Sequence, residues 1–272
     1  MPELPEVETS RRGIAPHILN NTIKTIVLRR ENLRWPIPTE IKPTFASQCI
    51  TQLERRGKYL LLSANPGTLI LHLGMSGSLR IVKQKTPFNK HDHVDIVFVN
   101  GICLRFTDPR RFGCLLWTNT DPLQHRLLKN LGIEPLTKTF NTDYLFAKSR
   151  NRKVTTKQFL MNNHIVVGIG NIYANEALFY AGIRPTKIAA NLTKAQCQKL
   201  VSAIKLILRR AIKAGGTTLS DFTQSDGKPG YFKQKLNVYD RSNEPCRNCK
   251  RSIKEKVLGG RSSFYCPYCQ KY

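Results

Sequence analysis

No apolar run in the chain approaches the roughly 20 residues needed to cross a bilayer, so no membrane span is expected. The opening residues, MPELPEVET, also lack the basic-then-apolar layout of a secretory signal peptide. These absences predict a soluble, cytoplasmic protein without a membrane partner. Acidic residues are scarce, with 18 Asp and Glu against 44 Lys and Arg, for a formal charge of +26. An excess of that size favours a polyanion, because each neutralised phosphate releases condensed counterions. Charge alone says nothing about chemistry. Internal repeats and low-complexity tracts are missing as well.

What is present falls into three parts. From Thr22 to Thr118, short apolar runs such as YLLLS, TLILHL, VDIVFV and CLLW alternate with Gly, Pro and Asn. That spacing predicts an antiparallel sandwich or barrel, and Asn100-Gly101 signals a two-residue hairpin turn. A short helix over PEVETSRRGI precedes it, with Pro5 in the first turn and Glu6 and Glu8 at its positive end. After Leu131-Gly132-Ile133-Glu134-Pro135 the pattern becomes helical. In TKAQCQKLVSAIKLILRRAIKAGG, Thr193 and Gln196 form a capping box, Leu200, Ile204, Ile207, Leu208 and Ala211 share a face, and Gly215 supplies the stop. A domain boundary is placed near residue 134.

The third part is the tail. Of eight cysteines, Cys49, Cys103, Cys114 and Cys197 are scattered among apolar neighbours and read as reduced core residues. The other four form C-x2-C, sixteen residues, then C-x2-C: Cys246, Cys249, Cys266 and Cys269. Four thiolates in two close pairs match a tetrahedral Zn²⁺ site, with an iron–sulfur centre the weaker alternative. A closed four-thiolate site leaves no position for water, so the expected metal is structural.

Chemistry is suggested first by the terminus. Removal of Met1 would leave Pro2 as a secondary amine with a pKa of about 7.7–8.0, a better nucleophile at neutral pH than lysine. Condensed with an aldehyde-level carbon, it gives a cationic iminium, an electron sink beside which Glu3 could move protons. Alone, these two residues read more simply as a helix start. Three other stretches change the weighting. Lys58 stands at the entry of an apolar strand in RRGKYLLL. Met75 sits between glycines in HLGMSGSL, a candidate wedge into a base stack. Arg110, Arg111 and Phe112 share the TDPRRFG loop.

In order along nearly the whole chain, MPELPEVE, GKYLL, HLGMSGSL, KHDHVD, TDPRRFG, GIGNIYANE, SDGKPGYF and the four-cysteine unit resemble the formamidopyrimidine-DNA glycosylases of bacteria. The resemblance implies an α+β multidomain fold. It consists of an N-terminal β-sandwich with a short helix (1–133), a helix-two-turns-helix domain with a lesion loop at about 217–232 (134–238), and a zinc β-hairpin (239–272). It implies a bifunctional base-excision repair enzyme. Such an enzyme removes oxidised purines, 8-oxoguanine and formamidopyrimidines, from duplex DNA, then cleaves the abasic strand by β,δ-elimination. By the same resemblance Pro2 is the nucleophile, Glu3 the acid–base group, Lys58 the proton carrier in β-elimination, and Arg261 a phosphate grip used in δ-elimination. Met75, Arg110 and Phe112 would fill the space left by an extruded nucleotide, Arg110 pairing with the orphaned cytosine. His72, His91 and Asn171 match phosphate-contacting positions, and Arg152 and Lys157 are further candidates for nucleotide contact. The family also implies a monomer acting at the nucleoid.

Two patterns are set aside. Gly168-x-Gly170 lacks a preceding strand and a third glycine, so it is no dinucleotide fingerprint. His91 and His93, on alternate positions, are read as a phosphate contact and a structural residue rather than metal ligands. Two rivals stay open: an endonuclease VIII-like glycosylase for oxidised pyrimidines, and a non-catalytic zinc-hairpin protein that binds nucleic acid by charge.

Overall fold

The computed structural model describes residues 1–216 and 236–271. The chain divides into two compact units, the first built on Met1–Lys129 and rejoined at Ala214, the second on Asn130–Lys213 and the C-terminal tail. Among the described residues, no helix is long and apolar enough to cross a membrane.

The first unit starts with helix α1 (Leu4–Ile18), whose N-cap is Glu3. Pro5 fits its first turn because a first-turn N–H has no partner within the helix. The Glu6 carboxylate accepts the Glu3 N–H at 2.8 Å, closing that end. β1 (Ile23–Leu28) and the one-turn helix α2 (Ile41–Phe45) follow. The next strands are β2 (Gln52–Arg56), β3 (Tyr59–Ala64), β4 (Gly67–His72) and β5 (Ser78–Lys83). β6 (Asp92–Phe98), β7 (Ile102–Thr107) and β8 (Cys114–Thr118) complete the set. Two four-stranded sheets result, in the orders β1-β6-β7-β5 and β2-β3-β4-β8, with antiparallel pairing throughout.

Strand period explains the layering. Leu60 and Leu62 of β3 and Leu69 and Leu71 of β4 point the same way and enter one core. There they meet Val94, Ile96, Phe98, Leu104 and Phe106 of the other sheet, and Val7, Ile14 and Ile18 of α1. Each such side chain contributes about 1.5–3 kcal/mol when fully buried, so the sandwich and α1 are held as one body. The β6–β7 turn differs from the two-residue expectation. Val99, Asn100 and Gly101 all lie between the strands, and Gly101 takes φ +81°. A three-residue loop ending in a left-handed glycine carries the twist of the strands as well as the shorter turn does.

Charge is also buried in this unit. Arg105, 2 % exposed, donates to both Asp95 oxygens at 2.9 Å and to the Thr86 and Pro87 carbonyls at 3.0 and 2.7 Å. Each of its three nitrogens meets an acceptor, which offsets desolvation and pins the loop ahead of His91.

The second unit contains α3 (Thr142–Ser149), α4 (Thr156–Leu160), α5 (Asn171–Ala181) and α6 (Lys194–Lys213). Thr193 and Gln196 cap α6 reciprocally at 3.1 and 3.2 Å, as expected. Leu200, Ile204, Ile207, Leu208 and Ala211 are all buried. Along α5 every residue from Ile172 to Phe179 is buried, so this helix is the unit's centre. Its Glu176 accepts the backbone N–H groups of Asn237, Val238 and Tyr239 at 2.9–3.0 Å, anchoring the chain that leads to the tail. The tail forms the hairpin of β9 (Lys254–Leu258) and β10 (Arg261–Tyr265). Phe264 and Phe179 share a small core with Cys246 and Cys266.

Candidate functional site

Pro2 and Glu3 are buried at the start of α1, and Met1 lines an open cleft of about 730 Å³ with Leu33, Arg34, His72, Met75, Arg110 and Phe112. While Met1 is attached, the Pro2 nitrogen is part of an amide and has no nucleophilic lone pair. Lys58 occupies the tight turn between β2 and β3. The strand pairing sets Tyr59 opposite His72, whose ring centroids are 4.7 Å apart.

Burial, then the charges of Lys58 and Arg34, push the His72 imidazole down to a pKa of about 4. The ring is therefore neutral at pH 7. Its Nδ1 accepts the Gly74 N–H at 2.9 Å, so the proton resides on Nε2. His72 can thus offer an uncharged N–H donor. On α1 itself, Glu8 is held by Arg11 at 2.9 Å, Arg12 at 2.8 Å and Arg55 at 3.2 Å. Burial raises its pKa, but the hydrogen bonds of Arg11 and Arg12 and the charges of Arg11 and Arg55 outweigh it and bring the carboxyl to about 2. Arg55 also donates to the Gly57 carbonyl at 2.9 Å, so this ion cluster reaches the turn that carries Lys58.

Two loops supply the rest of the cleft. Gly74 takes φ +67°, and a Cβ there would overlap the Gly113 nitrogen and the Phe112 carbonyl carbon. Only glycine lets the backbones of the Met75 and Phe112 loops touch. Arg110 lies over the Phe112 ring at 5.1 Å, and Phe112 is 45 % exposed. An exposed aromatic beside a guanidinium, on a loop fixed from below, suits insertion into stacked bases. His91 is half-buried and edge-on to His93, with centroids 6.4 Å apart. His93 is buried, and its Nε2 meets the Asp108 carbonyl at 2.8 Å, a structural placement.

On the second unit, Asn171 opens α5, at the positive end of the helix dipole, which favours an anion. Its buried Oδ1 has no hydrogen-bond partner among the described residues. Arg152 is exposed. Lys157 requires a correction: it is 1 % exposed, and its ammonium donates to the Ser262 carbonyl at 2.6 Å and Ser263 Oγ at 2.7 Å. Buried against these acceptors rather than facing solvent, Lys157 ties α4 to β10. Arg261, exposed at the start of β10, is the neighbour of Ser262.

The four tail thiols fit a metal. All four sulfurs lie within 4.8 Å of one another. The Cys246–Cys269 and Cys249–Cys266 separations are 3.9 and 3.5 Å. Thiolates about 2.3 Å from a tetrahedral Zn²⁺ have edges of about 3.8 Å. Zn²⁺ held by these residues would cross-link the tail and supply no open coordination position. Cys103, Cys114 and Cys197 are buried and Cys49 half-buried, none in a disulfide.

Residue-by-residue reading of the sequence missed several contributors. Arg34 lines the cleft, and Asp108, fully buried, joins its loops. The signal for Asp108 was a lone carboxylate in the basic loop TDPRRFG. The expected lesion loop at 217–232 lies outside the described residues. Gly216, the last described residue before it, sits against Glu6 near the N-terminus.

Three family models match the chain: the formamidopyrimidine-DNA glycosylase N-terminal domain over residues 1–115, the H2TH domain of the same family over 131–223, and a zinc finger found in FPG and IleRS over 243–271. The formamidopyrimidine-DNA glycosylase of Alteromonas mediterranea is 55% identical over 271 residues, spanning 100% of both chains. That of Nitrosococcus oceani is 54% identical over 270 residues, covering 99% of this chain and 100% of its own. Among solved structures, the MutM (Fpg) protein of Thermus thermophilus superposes with TM-score 0.89 at 36% identity, over 99% of this chain and 98% of that one. Lactococcus lactis Fpg bound to DNA containing an abasic site gives 0.91 at 33% identity, covering 99% and 100%. With sandwich, H2TH unit and thiolate tail all matched end to end, the chain belongs to the formamidopyrimidine-DNA glycosylase family.

Proposed function

We propose that this chain is a base-excision repair glycosylase that removes oxidised purines from duplex DNA through a Pro2 Schiff base and then cleaves the strand. The supporting observation is one cleft lined by Met1, the residue whose removal frees the Pro2 nitrogen, together with His72, Met75, Arg110 and Phe112. The residue just ahead of the nucleophile and the wedge side chains line one space, as suits an enzyme that turns a nucleotide out of the stack.

Once Met1 is removed, the Pro2 nitrogen attacks C1′ of the damaged nucleotide and the N-glycosidic bond breaks. The base leaves with its electron pair and takes up a proton. Glu3 assists opening of the sugar, leaving the ring-opened carbon joined to Pro2 as an iminium. That cation acidifies C2′, Lys58 moves the C2′ proton, and the 3′-phosphate leaves by β-elimination. Loss of the 5′-phosphate by δ-elimination follows, with Arg261 on the phosphate. Water then hydrolyses the iminium, which restores the Pro2 amine and releases the sugar remnant as an unsaturated aldehyde; the other products are a free oxidised base and a one-nucleoside gap with phosphate at both ends. Met75 fills the vacated space, Phe112 wedges the opposite side, and Arg110 donates to the orphaned cytosine. His72, His91, Asn171 and Arg152 hold the strand. Zn²⁺ folds the tail, the protein acts as an intracellular monomer, and 1–133, 134–238 and 239–272 are its working divisions.

The decisive experiment is borohydride trapping on a duplex with 8-oxoguanine opposite cytosine, followed by mapping of the adduct. A covalent adduct on the Pro2 nitrogen is expected, and an N-terminal extension should abolish it while duplex binding persists. No adduct, or one on Lys58, would overturn the mechanism. Faster release of thymine glycol than of 8-oxoguanine would move the chain toward pyrimidine lesions.

A further inference from the structure

The two wedge loops meet at one buried carboxylate that takes no part in the proposed chemistry. Asp108 is 0 % exposed. Its Oδ1 accepts the Ser76 hydroxyl at 3.1 Å, next to Met75. Its Oδ2 accepts the Gly113 N–H at 2.7 Å, next to Phe112. Its backbone N–H donates to the His91 carbonyl at 3.0 Å. Its own carbonyl receives the His93 ring N–H at 2.8 Å and the Arg111 N–H at 3.2 Å. Since a carbonyl only accepts, His93 must carry its proton on Nε2.

We infer that Asp108 is a positioning residue that locks the Met75 loop, the Arg110–Phe112 loop and the His91 segment into one rigid insertion unit. The physical case rests on three points. Both carboxylate oxygens are spent on donors from two different loops, so neither loop can move without orphaning a buried group. The loops touch backbone to backbone at Gly74, so a shift in one displaces the other. The residues to be inserted stand immediately beside the anchored atoms: Met75 precedes Ser76 and Phe112 precedes Gly113. Entering a base stack costs a few kcal/mol for each step unstacked, and a loosely held wedge would lose part of that in ordering its own loops.

The inference rests on the reading that Met75, Arg110 and Phe112 enter the duplex, and the experiment separates the two. Full-length, zinc-loaded protein lacking Met1 is compared as wild type, Asp108→Ala, Asp108→Asn and Ser76→Ala. Single-turnover release of 8-oxoguanine opposite cytosine and opposite adenine is measured, together with cleavage at a preformed abasic site.

Asp108→Ala should slow base release about 10- to 100-fold, as small misplacements do, and narrow the cytosine-over-adenine preference. Abasic cleavage, with no base to extrude, should fall less than about threefold on that scale. Asp108→Asn should recover most of the loss, because its amide oxygen can accept from Gly113 while its NH₂ donates to the Ser76 hydroxyl. Ser76→Ala should show the same split more weakly, and it carries the test if Asp108→Ala fails to fold. Parallel loss of both activities, or equal loss in the Ala and Asn variants, would overturn the inference. If Met75→Ala and Phe112→Ala themselves leave base release unchanged, it is the insertion reading that fails. If they impair it while Asp108→Ala does not, only the role of Asp108 falls.

Discussion

His72 shows how a side chain's surroundings override its type. A histidine on a basic protein's DNA-facing side suggests an imidazolium that pairs with phosphate. Burial and the neighbouring Lys58 and Arg34 instead hold it neutral, near pKa 4. NMR titration should therefore show the His72 ring signal flat between pH 5 and 8, and an inflection in that window would refute the assignment. The sign for stability follows. Unfolded His72 binds a proton below about 6.5 and the folded ring does not, so this group erodes stability as pH falls from there toward 4. Glu8 acts in a lower window. Its folded pKa of about 2 lies below the ordinary 4.5, so its contribution is complete above 4.5 and lost as pH falls toward 2. Glu8→Gln should cost about 3 kcal/mol at neutral pH by leaving Arg11, Arg12 and Arg55 without their anion. Denaturant melts at pH 6 and pH 3 should differ less for the variant than for the wild type.

At the scale of elements, the second unit depends on side chains that join one segment to another. Lys157 ties α4 to β10 next to Arg261. Asn175 of α5 accepts the Phe264 N–H at 2.9 Å, and Glu176 holds the chain at Asn237–Tyr239. Lys157→Met should orphan the Ser262 carbonyl at a cost of about 1–3 kcal/mol. Hydrogen exchange at β9 and β10 should accelerate while the amides of α1 keep their protection, and unchanged exchange in the hairpin would refute the tie. Sequence alone placed Lys157 in a basic stretch, where a solvated or DNA-facing cation is the ordinary reading. Its actual acceptors are more than a hundred residues away in the chain, beyond the reach of any local pattern. The capping box of α6 was legible because Thr193 and Gln196 are three residues apart.

The whole molecule carries +26, and family members are solved with DNA bound. Affinity for duplex DNA should fall steeply with salt, by roughly 0.9 in logarithmic slope for each phosphate neutralised. Arg152→Ala should reduce the slope by about one, as expected for a guanidinium that neutralises a phosphate. His72→Ala should weaken binding and leave the slope unchanged, because a neutral donor releases no counterion. A slope that changes with His72 would mean that DNA charges the ring.

The elements and the kinds of chemistry were already written in the order of the residues. Strand alternation, the α6 cap, the paired cysteines and the terminal Pro2-Glu3 are all local patterns, and local patterns survive translation into one dimension. Which charges stay outside and which loops act together emerged only on folding. Arg105, Lys157 and Asp108 look like surface residues in the sequence and are buried because distant acceptors and donors meet them. The cleft that joins Met1 to Met75 and Phe112 exists because β-strand pairing sets His72 beside Tyr59 and the two loops pack across Gly74. Burial and contact between distant segments are properties of the folded chain, so no single stretch of sequence could state them.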